Sequence, residues 1–349
     1  MPPIPSIERL NNGFPILQKI DTHPWENKVT FNPACFLVSG RKELGAIIPK
    51  IPCDKKTMSE LEKHDALCFL LYRAQGKKTA AYDYARSSIG LAVLTPGLKL
   101  LYRHSDPVIT ADQPYDNLGV EDARISRVGD EFVMFYTAYS SASPENLIRI
   151  AIATSMDFVS WKKRGLLRGY PNTLQNKNAM LFEKKIGGKF VMLHRPMTGK
   201  DAMSIHWAES EDIFGEWNDR GALMKPIPKP EFTDTWIGGG APPIHLGESR
   251  YLVLYHIGNR KIDQTREYDL GLAIVDFSEK DKVSKRIDPL LRPATAAETS
   301  GDADLGVNNV VFVCGAYLHK GDLYFPYAGA DSVVLGGRIA KADLDRYTS

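Results

Sequence analysis

Cysteine is scarce in this chain, with four in 349 residues (Cys35, Cys53, Cys68 and Cys314) and no Cys-x-x-Cys pair. That scarcity argues against a disulfide scaffold or a cysteine-rich zinc module, and isolated buried thiols in a reducing cytoplasm are the expectation. The eight histidines include no His-x-x-x-His pair, so no metal is expected in the chemistry. Neither sign of charge dominates: 44 Lys+Arg against 42 Asp+Glu leave a net charge of +2, which gives no electrostatic footing for nucleic acid or an anionic membrane. No apolar run approaches the ~18–20 residues that span a bilayer, and the start Met1-Pro-Pro-Ile-Pro-Ser-Ile-Glu-Arg9 lacks the basic-then-apolar order of a secretory signal. Long helices are missing too. The best helical candidate, Met58–His64, is short.

What is present is a strand, written five times. Leu67-Cys-Phe-Leu-Leu-Tyr-Arg73, Phe132-Val-Met-Phe-Tyr-Thr-Ala-Tyr139, Phe190-Val-Met-Leu-His-Arg195, Tyr251-Leu-Val-Leu-Tyr-His256 and Leu323-Tyr-Phe-Pro-Tyr-Ala328 are apolar runs, most of them with a polar or aromatic end. The last four follow Gly129-Asp130, Gly187-Gly188, Gly247-Glu248 and Gly321-Asp322, residues that supply the backbone angles of tight hairpins. After each run comes a second β-like segment: Ser88–Leu94, Ile148–Ala153, Met203–Ala208, Leu270–Val275 and Val334–Ile339. Two of these lead into Asp157-Phe-Val-Ser-Trp161 and Asp212-Ile-Phe-Gly-Glu-Trp217, expected as outer strands. The spacings of the strand ends, 66, 56, 61 and 72 residues, describe five units filling most of the chain. A four-stranded unit cannot cover its own faces, so such units stack radially. The expectation is an all-β chain forming one five-bladed β-propeller domain over residues 1–349, with the first ~25 residues and the C-terminal tail peripheral. A two-sheet sandwich is the competitor, but it does not account for five recurrences of one strand pair.

In a radial assembly, strand ends converge on an axial funnel. The ends supply Arg73, Tyr139, His194, Arg195 and His256, with Asp331 just past the last run. These are either scattered solvent contacts or the wall of a shared pocket. The segment Asn117-Leu-Gly-Val-Glu-Asp-Ala-Arg124 adds two adjacent carboxylates, Glu121 and Asp122, beside Arg124. Consecutive residues of extended chain point oppositely, so one carboxylate is expected to face the pocket and the other to hold Arg124 or loop backbone.

Eight segments in order resemble the motifs of glycoside hydrolase family 130. They are Gly119-Val-Glu-Asp-Ala-Arg124, Tyr136-Thr-Ala-Tyr-Ser140, Asn176-Lys-Asn-Ala-Met-Leu-Phe182, Lys189-Phe-Val-Met-Leu-His-Arg-Pro196, Ile237-Gly-Gly-Gly-Ala-Pro-Pro-Ile244, Leu254-Tyr-His-Ile257, Asn309-Val-Val-Phe-Val-Cys-Gly315 and Tyr327-Ala-Gly-Ala-Asp331. The resemblance implies a five-bladed propeller that cleaves β-linked mannosides with inversion, in most members by phosphorolysis and in one branch by hydrolysis of β-1,2-mannosides. It implies Asp122 as the general acid, acting directly or through a sugar hydroxyl, which requires a carboxyl that keeps its proton near neutrality. By the same resemblance Asp331 holds hydroxyls of the mannosyl ring, and Arg73, Asn32, Arg124, Asn178 and Tyr139 are further sugar contacts.

A phosphate nucleophile needs clustered cations to hold its charge in line with the anomeric carbon. The resemblance assigns this to Arg195, Lys177 and His256, while Trp236 stands where the family pattern has a lysine and is expected to stack on a sugar face. The implied reaction releases α-mannose 1-phosphate from a β-manno-oligosaccharide, with inorganic phosphate as co-substrate and no cofactor. Water is the alternative nucleophile; an inverting hydrolase needs a second carboxylate about 6.5–9.5 Å from the acid, and Glu231 or Asp234 beside Trp236 are the candidates. A non-catalytic glycan-binding propeller is the rival of another class, and the presence of Asp122 favours an enzyme. The sequence leaves linkage and homo-oligomer formation open.

Overall fold

The computed structural model describes residues 4–78, 85–141 and 147–349. Four sheets account for the strands among those residues, one of eight strands and three of five. The eight-stranded sheet is two antiparallel four-stranded units joined by one parallel pairing, Ser87 with Gly119. The chain therefore runs through five successive antiparallel units. Their first strands are Val29–Ser39, Gly119–Val128, Asn176–Leu181, Asp234–Gly239 and Val311–Val313.

The five sequence pairs appear as neighbouring strands: Ala66–Gln75 with Ser87–Leu94, Glu131–Ser140 with Leu147–Ser155, Phe190–Pro196 with Ile205–Ser210, Arg250–Arg260 with Arg266–Asp276, and Asp322–Gly329 with Val333–Ile339. At the tight connections Gly129, Gly187, Gly188, Gly247 and Gly321 adopt φ between 58° and 114°. The expected outer strands begin later than the sequence suggested. Asp157 makes a turn by accepting the amides of Val159 and Ser160 at 3.0 and 2.7 Å, and the outer strand is Trp161–Leu166. The Asp212 turn likewise precedes the outer strand Glu216–Met224.

Between each unit and the next lies an apolar layer. Phe69 and Leu91 meet Met134 and Tyr136; Val133 and Phe135 meet Leu181 and Trp217; Met180 and Leu193 meet Ile237 and Val253; Leu252 and Leu254 meet Val311 and Phe325. The fifth layer joins the last unit to the first, through Tyr317 and Val334 against Cys68, Leu70 and Tyr72. Each fully buried large side chain in these layers contributes roughly 1.5–3 kcal/mol by burial alone. All four cysteines are free thiols; Cys35 and Cys68 lie in the fifth layer and Cys314 in the first, while Cys53 is only partly buried.

The chain ends are tied to the last unit. Glu8–Arg9 is its outermost strand, pairing antiparallel with Val333–Ile339. The C-terminal helix Lys341–Thr348 buries Leu344 and Tyr347. The helix expected at Met58–His64 lies at Lys55–Leu61, because Asp54 caps it by accepting the Thr57 amide at 2.7 Å. No helix among the described residues is long and apolar enough to cross a membrane.

Candidate active site

The same backbone device recurs where three of the first strands begin. Asn32, Asp122 and Asn178 have φ of 44°, 49° and 59°. Each sits in a register break, between Phe31 and Ala34, Glu121 and Arg124, and Lys177 and Met180. Asparagine and aspartate tolerate this left-handed conformation better than other side-chain-bearing residues, and a bulge turns the side chain off the sheet face. All three line one cavity of about 100 Å³, with Arg73, Lys177, Arg195, His256, Asp331, Tyr268, Val310 and Phe312. Asp331 is itself left-handed, at φ 48°.

Asp122 accepts from Asn32 Nδ2 at 2.7 Å and from Arg73 Nη1 at 3.1 Å. Arg73 also donates to Glu121 at 2.7 Å and to Ser87 at 2.8 Å, so its fork holds both carboxylates. The sequence expected the second carboxylate to hold Arg124 or loop backbone; the bulge at Asp122 breaks the alternation and gives Glu121 to Arg73 instead. Arg124 is buried and donates to three carbonyls, Asp122 at 2.6 Å, Gly239 at 2.9 Å and Gly240 at 3.1 Å, locking the second unit to the fourth rather than lining the cavity.

The same cavity carries a cationic cluster. Arg195 Nη1 donates to His256 Nε2 at 3.0 Å, and Asn178 Nδ2 reaches the same nitrogen at 3.1 Å. His256 is thus an acceptor at Nε2, and burial beside Arg195, Arg124 and Lys177 keeps it neutral, far below the usual imidazole range. Burial and the neighbouring Arg124 bring Arg195 down to about 10, with Tyr268 and Asp122 pulling the other way. Burial and Arg195 lower Lys177 as well. Four buried polar atoms on this lining have no partner: Asn32 Oδ1, Asn178 Oδ1, Arg195 Nε and His256 Nδ1. Cations depressed by burial and by neighbouring cations, beside orphaned polar atoms, are the signature of a site that favours a polar, anionic guest.

The two cavity carboxyls differ in proton affinity. Burial raises Asp122, but Arg73, Arg124, Lys177 and Asn32 outweigh it and hold the group below the ordinary carboxylate range. Asp331 accepts no hydrogen bond from a described residue, and burial pushes it to about 7 against the pull of Arg73. Of the two carboxyls, Asp331 therefore keeps its proton closer to neutrality, whereas the sequence reading required that of Asp122.

Of the residues singled out by sequence, Asp122, Arg195, His256, Lys177, Asp331, Arg73, Asn32 and Asn178 meet in this cavity. The others do not line it. Trp236 is 3% exposed and packs edge-on against Tyr268, its indole lying where any side chain at Gly258 would stand. Tyr139 ends its strand outside the lining, paired with Gly119. Arg124 stands behind it. His194, grouped with the strand ends, points to the other side of its strand into a separate cavity. Glu231 and Asp234 are exposed and lie off the lining. Tyr268 and Phe312 were missed. Phe312 stacks on the His256 ring, with centroids 4.4 Å apart, and Tyr268 belongs to a strand that begins four residues before its apolar run.

A family model described as beta-1,4-mannooligosaccharide phosphorylase matches residues 57–345. A beta-1,2-mannobiose phosphorylase of Thermoanaerobacter sp. (strain X514) is 31% identical over 98% of this chain and 99% of its own. A 1,2-beta-oligomannan phosphorylase of the same strain is 29% identical over 94% of this chain and 95% of its own. A solved beta-1,2-mannobiose phosphorylase from Listeria innocua, in complex with beta-1,2-mannobiose, superposes with a TM-score of 0.75 at 22% identity, covering 98% of this chain and 99% of that one.

Proposed function

Because the chain belongs to glycoside hydrolase family 130, as an enzyme that acts on β-mannosides, we propose that it is an inverting phosphorylase. It transfers the terminal mannosyl group of a β-linked manno-oligosaccharide to inorganic phosphate and releases α-mannose 1-phosphate. The observation that carries this reading is the cationic cluster that shares a cavity with Asp122. Arg195 and Lys177 are cations lowered by burial and by a neighbouring cation, Arg124 for the first and Arg195 for the second, and such a cluster is relieved by an anion. We read the five units, with apolar layers that run from each to the next and from the last back to the first, as a five-bladed propeller. Asn32, Asp122 and Asn178 then open onto its axis.

In this reading the mannosyl ring is held by Asp331, Arg73 and Asn32, and phosphate by Arg195, Lys177 and His256. A phosphate oxygen attacks the anomeric carbon from the face opposite the leaving group. The carbon–oxygen bond to the leaving sugar breaks, and that oxygen takes a proton from Asp122 directly or through a mannosyl hydroxyl. Asp122 is anionic in the free site, so the complex must first raise its proton affinity. Bound phosphate supplies the negative charge that does so, and Asp331 holds a proton within the same cavity. Two relatives that span nearly the whole chain are named for β-1,2 linkages, which makes β-1,2-mannobiose the first substrate to test. Incubation with β-1,2-, β-1,3- and β-1,4-mannobiose, with and without phosphate, decides the matter. Mannose 1-phosphate formed only with phosphate supports the proposal; free mannose released equally in both tubes replaces it with hydrolysis.

A further inference from the structure

On the reverse face of the strand that carries Arg195, three side chains converge from three adjacent strands of one sheet. His194 and His206 are direct cross-strand partners, and Asp219 comes from the strand beyond. His194 Nε2 lies 3.0 Å from Asp219 Oδ1, and His206 Nδ1 lies 3.3 and 3.4 Å from Oδ1 and Oδ2 of the same carboxylate. The ligand atoms all fall within 4.8 Å of one another. Four-coordinate zinc with bonds of about 2.0–2.1 Å places neighbouring ligand atoms roughly 3.3–3.4 Å apart, so the two imidazole–carboxylate separations need little adjustment, and the two ring nitrogens close from within 4.8 Å.

The far nitrogens strengthen the case. His206 Nε2–H donates to the Asp201 carbonyl at 3.0 Å, which leaves the Nδ1 lone pair facing two carboxylate oxygens. Acceptors facing each other at that range require a proton or a cation between them. His194 Nδ1 rests against the Asn176 carboxamide, 2.9 Å from Nδ2 and 3.3 Å from Oδ1. With the Nδ1 tautomer it donates to Oδ1 and frees Nε2, so each imidazole has a carbonyl oxygen available behind it, the arrangement that orients metal-bound histidines. A cavity of about 180 Å³, lined also by Tyr170, Lys200 and Asp201, leaves room for water as a fourth ligand. Two nitrogens and one carboxylate suit zinc and its first-row neighbours rather than calcium or magnesium, which take oxygen shells.

We propose that His194, His206 and Asp219 bind one divalent transition metal, zinc by preference, as a structural clasp bracing the strand that presents Arg195 to the active site. The site is independent of the reaction assigned above. Full-length protein stripped with chelator and dialysed against zinc alone is expected to retain one metal per chain, and its Tm to rise by on the order of 5 °C at a hundredfold excess over Kd. Cobalt alone should give the visible absorption of a four-coordinate ion and lose it on adding one equivalent of zinc, a readout that needs no variant. His206→Ala should abolish both signals. The proposal is overturned by the absence of stoichiometric binding, by a cobalt spectrum of the six-coordinate hydrated ion, or by zinc retention unchanged in His206→Ala. Stabilisation that follows acidification but not zinc would assign the gap to a proton.

Discussion

Strand Phe190–Pro196 has two chemical faces, and they solve the burial of polar groups in opposite ways. On one, Arg195 shares its only described hydrogen bond with a neutral histidine, its Nε has no partner, and its own pKa is depressed. On the other, His194 has both nitrogens engaged and Asp219 has two imidazoles around it. One strand imposes similar burial on both, so the difference lies in what is missing. The Arg195 face is short of an anion; the His194 face contains its own charges and is short of at most one cation. An unsatisfied cluster costs stability that only a ligand returns, which is why we propose that turnover takes place there.

The largest expected effect falls on the unsatisfied face. Asp122→Asn keeps the side chain's shape and its contact with Arg73 but removes the proton donor. Turnover should fall by about 10²–10⁴-fold while the far-ultraviolet circular dichroism is unchanged. A variant with near wild-type turnover would transfer the acid role elsewhere, with Asp331 first in line. Next comes Arg195→Ala, expected to raise KM for phosphate by about a hundredfold and to move KM for the mannoside far less, because the two-pronged charge contact is made to the anion. Equal changes in both constants would mean that Arg195 merely supports the pocket wall. His206→Ala, on the opposite face of the same sheet, should leave the phosphate KM within about twofold, and this contrast isolates the anion site from general damage.

Lys177 sharpens the comparison through pH. Its pKa is lowered by burial and by Arg195, and a bound phosphate would raise it again. A cation whose pKa rises on binding contributes affinity that is full below its free-state pKa and fades as pH climbs through that value. The wild-type phosphate KM should therefore increase on the alkaline side. Lys177→Gln should begin about tenfold higher and stay flat. A wild-type KM independent of pH would remove Lys177 from the phosphate site.

The fold was far more legible in sequence than the wiring of the pocket. Five apolar runs followed by five lighter β segments are read from alternation and turn glycines, because those signals are local. The bulges at Asn32, Asp122 and Asn178 are not local. They depend on which partner residue is skipped, so strand alternation offered Arg124 or loop backbone and missed the pairing of Glu121 with Arg73. Trp236 shows a second limit. Its place among the motifs is readable, but the side on which its indole lies depends on the space above Gly258. Tyr268 was hidden because its strand extends four residues beyond the apolar segment that announced it. Glu8–Arg9, a strand of two residues, has no period to detect.

The smallest effect tests the comparison in its plainest form, with one carboxylate from each face. Burial raises both, but in metal-free protein the close ring nitrogens of His194 and His206 outweigh it at Asp219 and hold the group well below the ordinary range, whereas Asp331 has no such partner and rises from 3.8 to about 7. The signs for stability are therefore opposite. A depressed carboxyl stabilises the fold above its unfolded pKa and loses that contribution as pH falls through the folded value. A raised one is silent below 3.8 and increasingly unfavourable as pH climbs towards 7. In metal-free protein at pH 8, Asp331→Asn should gain about 2 °C in Tm while losing activity, and Asp219→Asn should lose a similar amount. At about pH 3 the Asp331→Asn gain should vanish, because that carboxyl is then largely protonated in both states. A loss of stability in Asp331→Asn at pH 8 would mean that Asp331 is held by contacts as favourable as those of Asp219, and the contrast between the faces would fail at its clearest point.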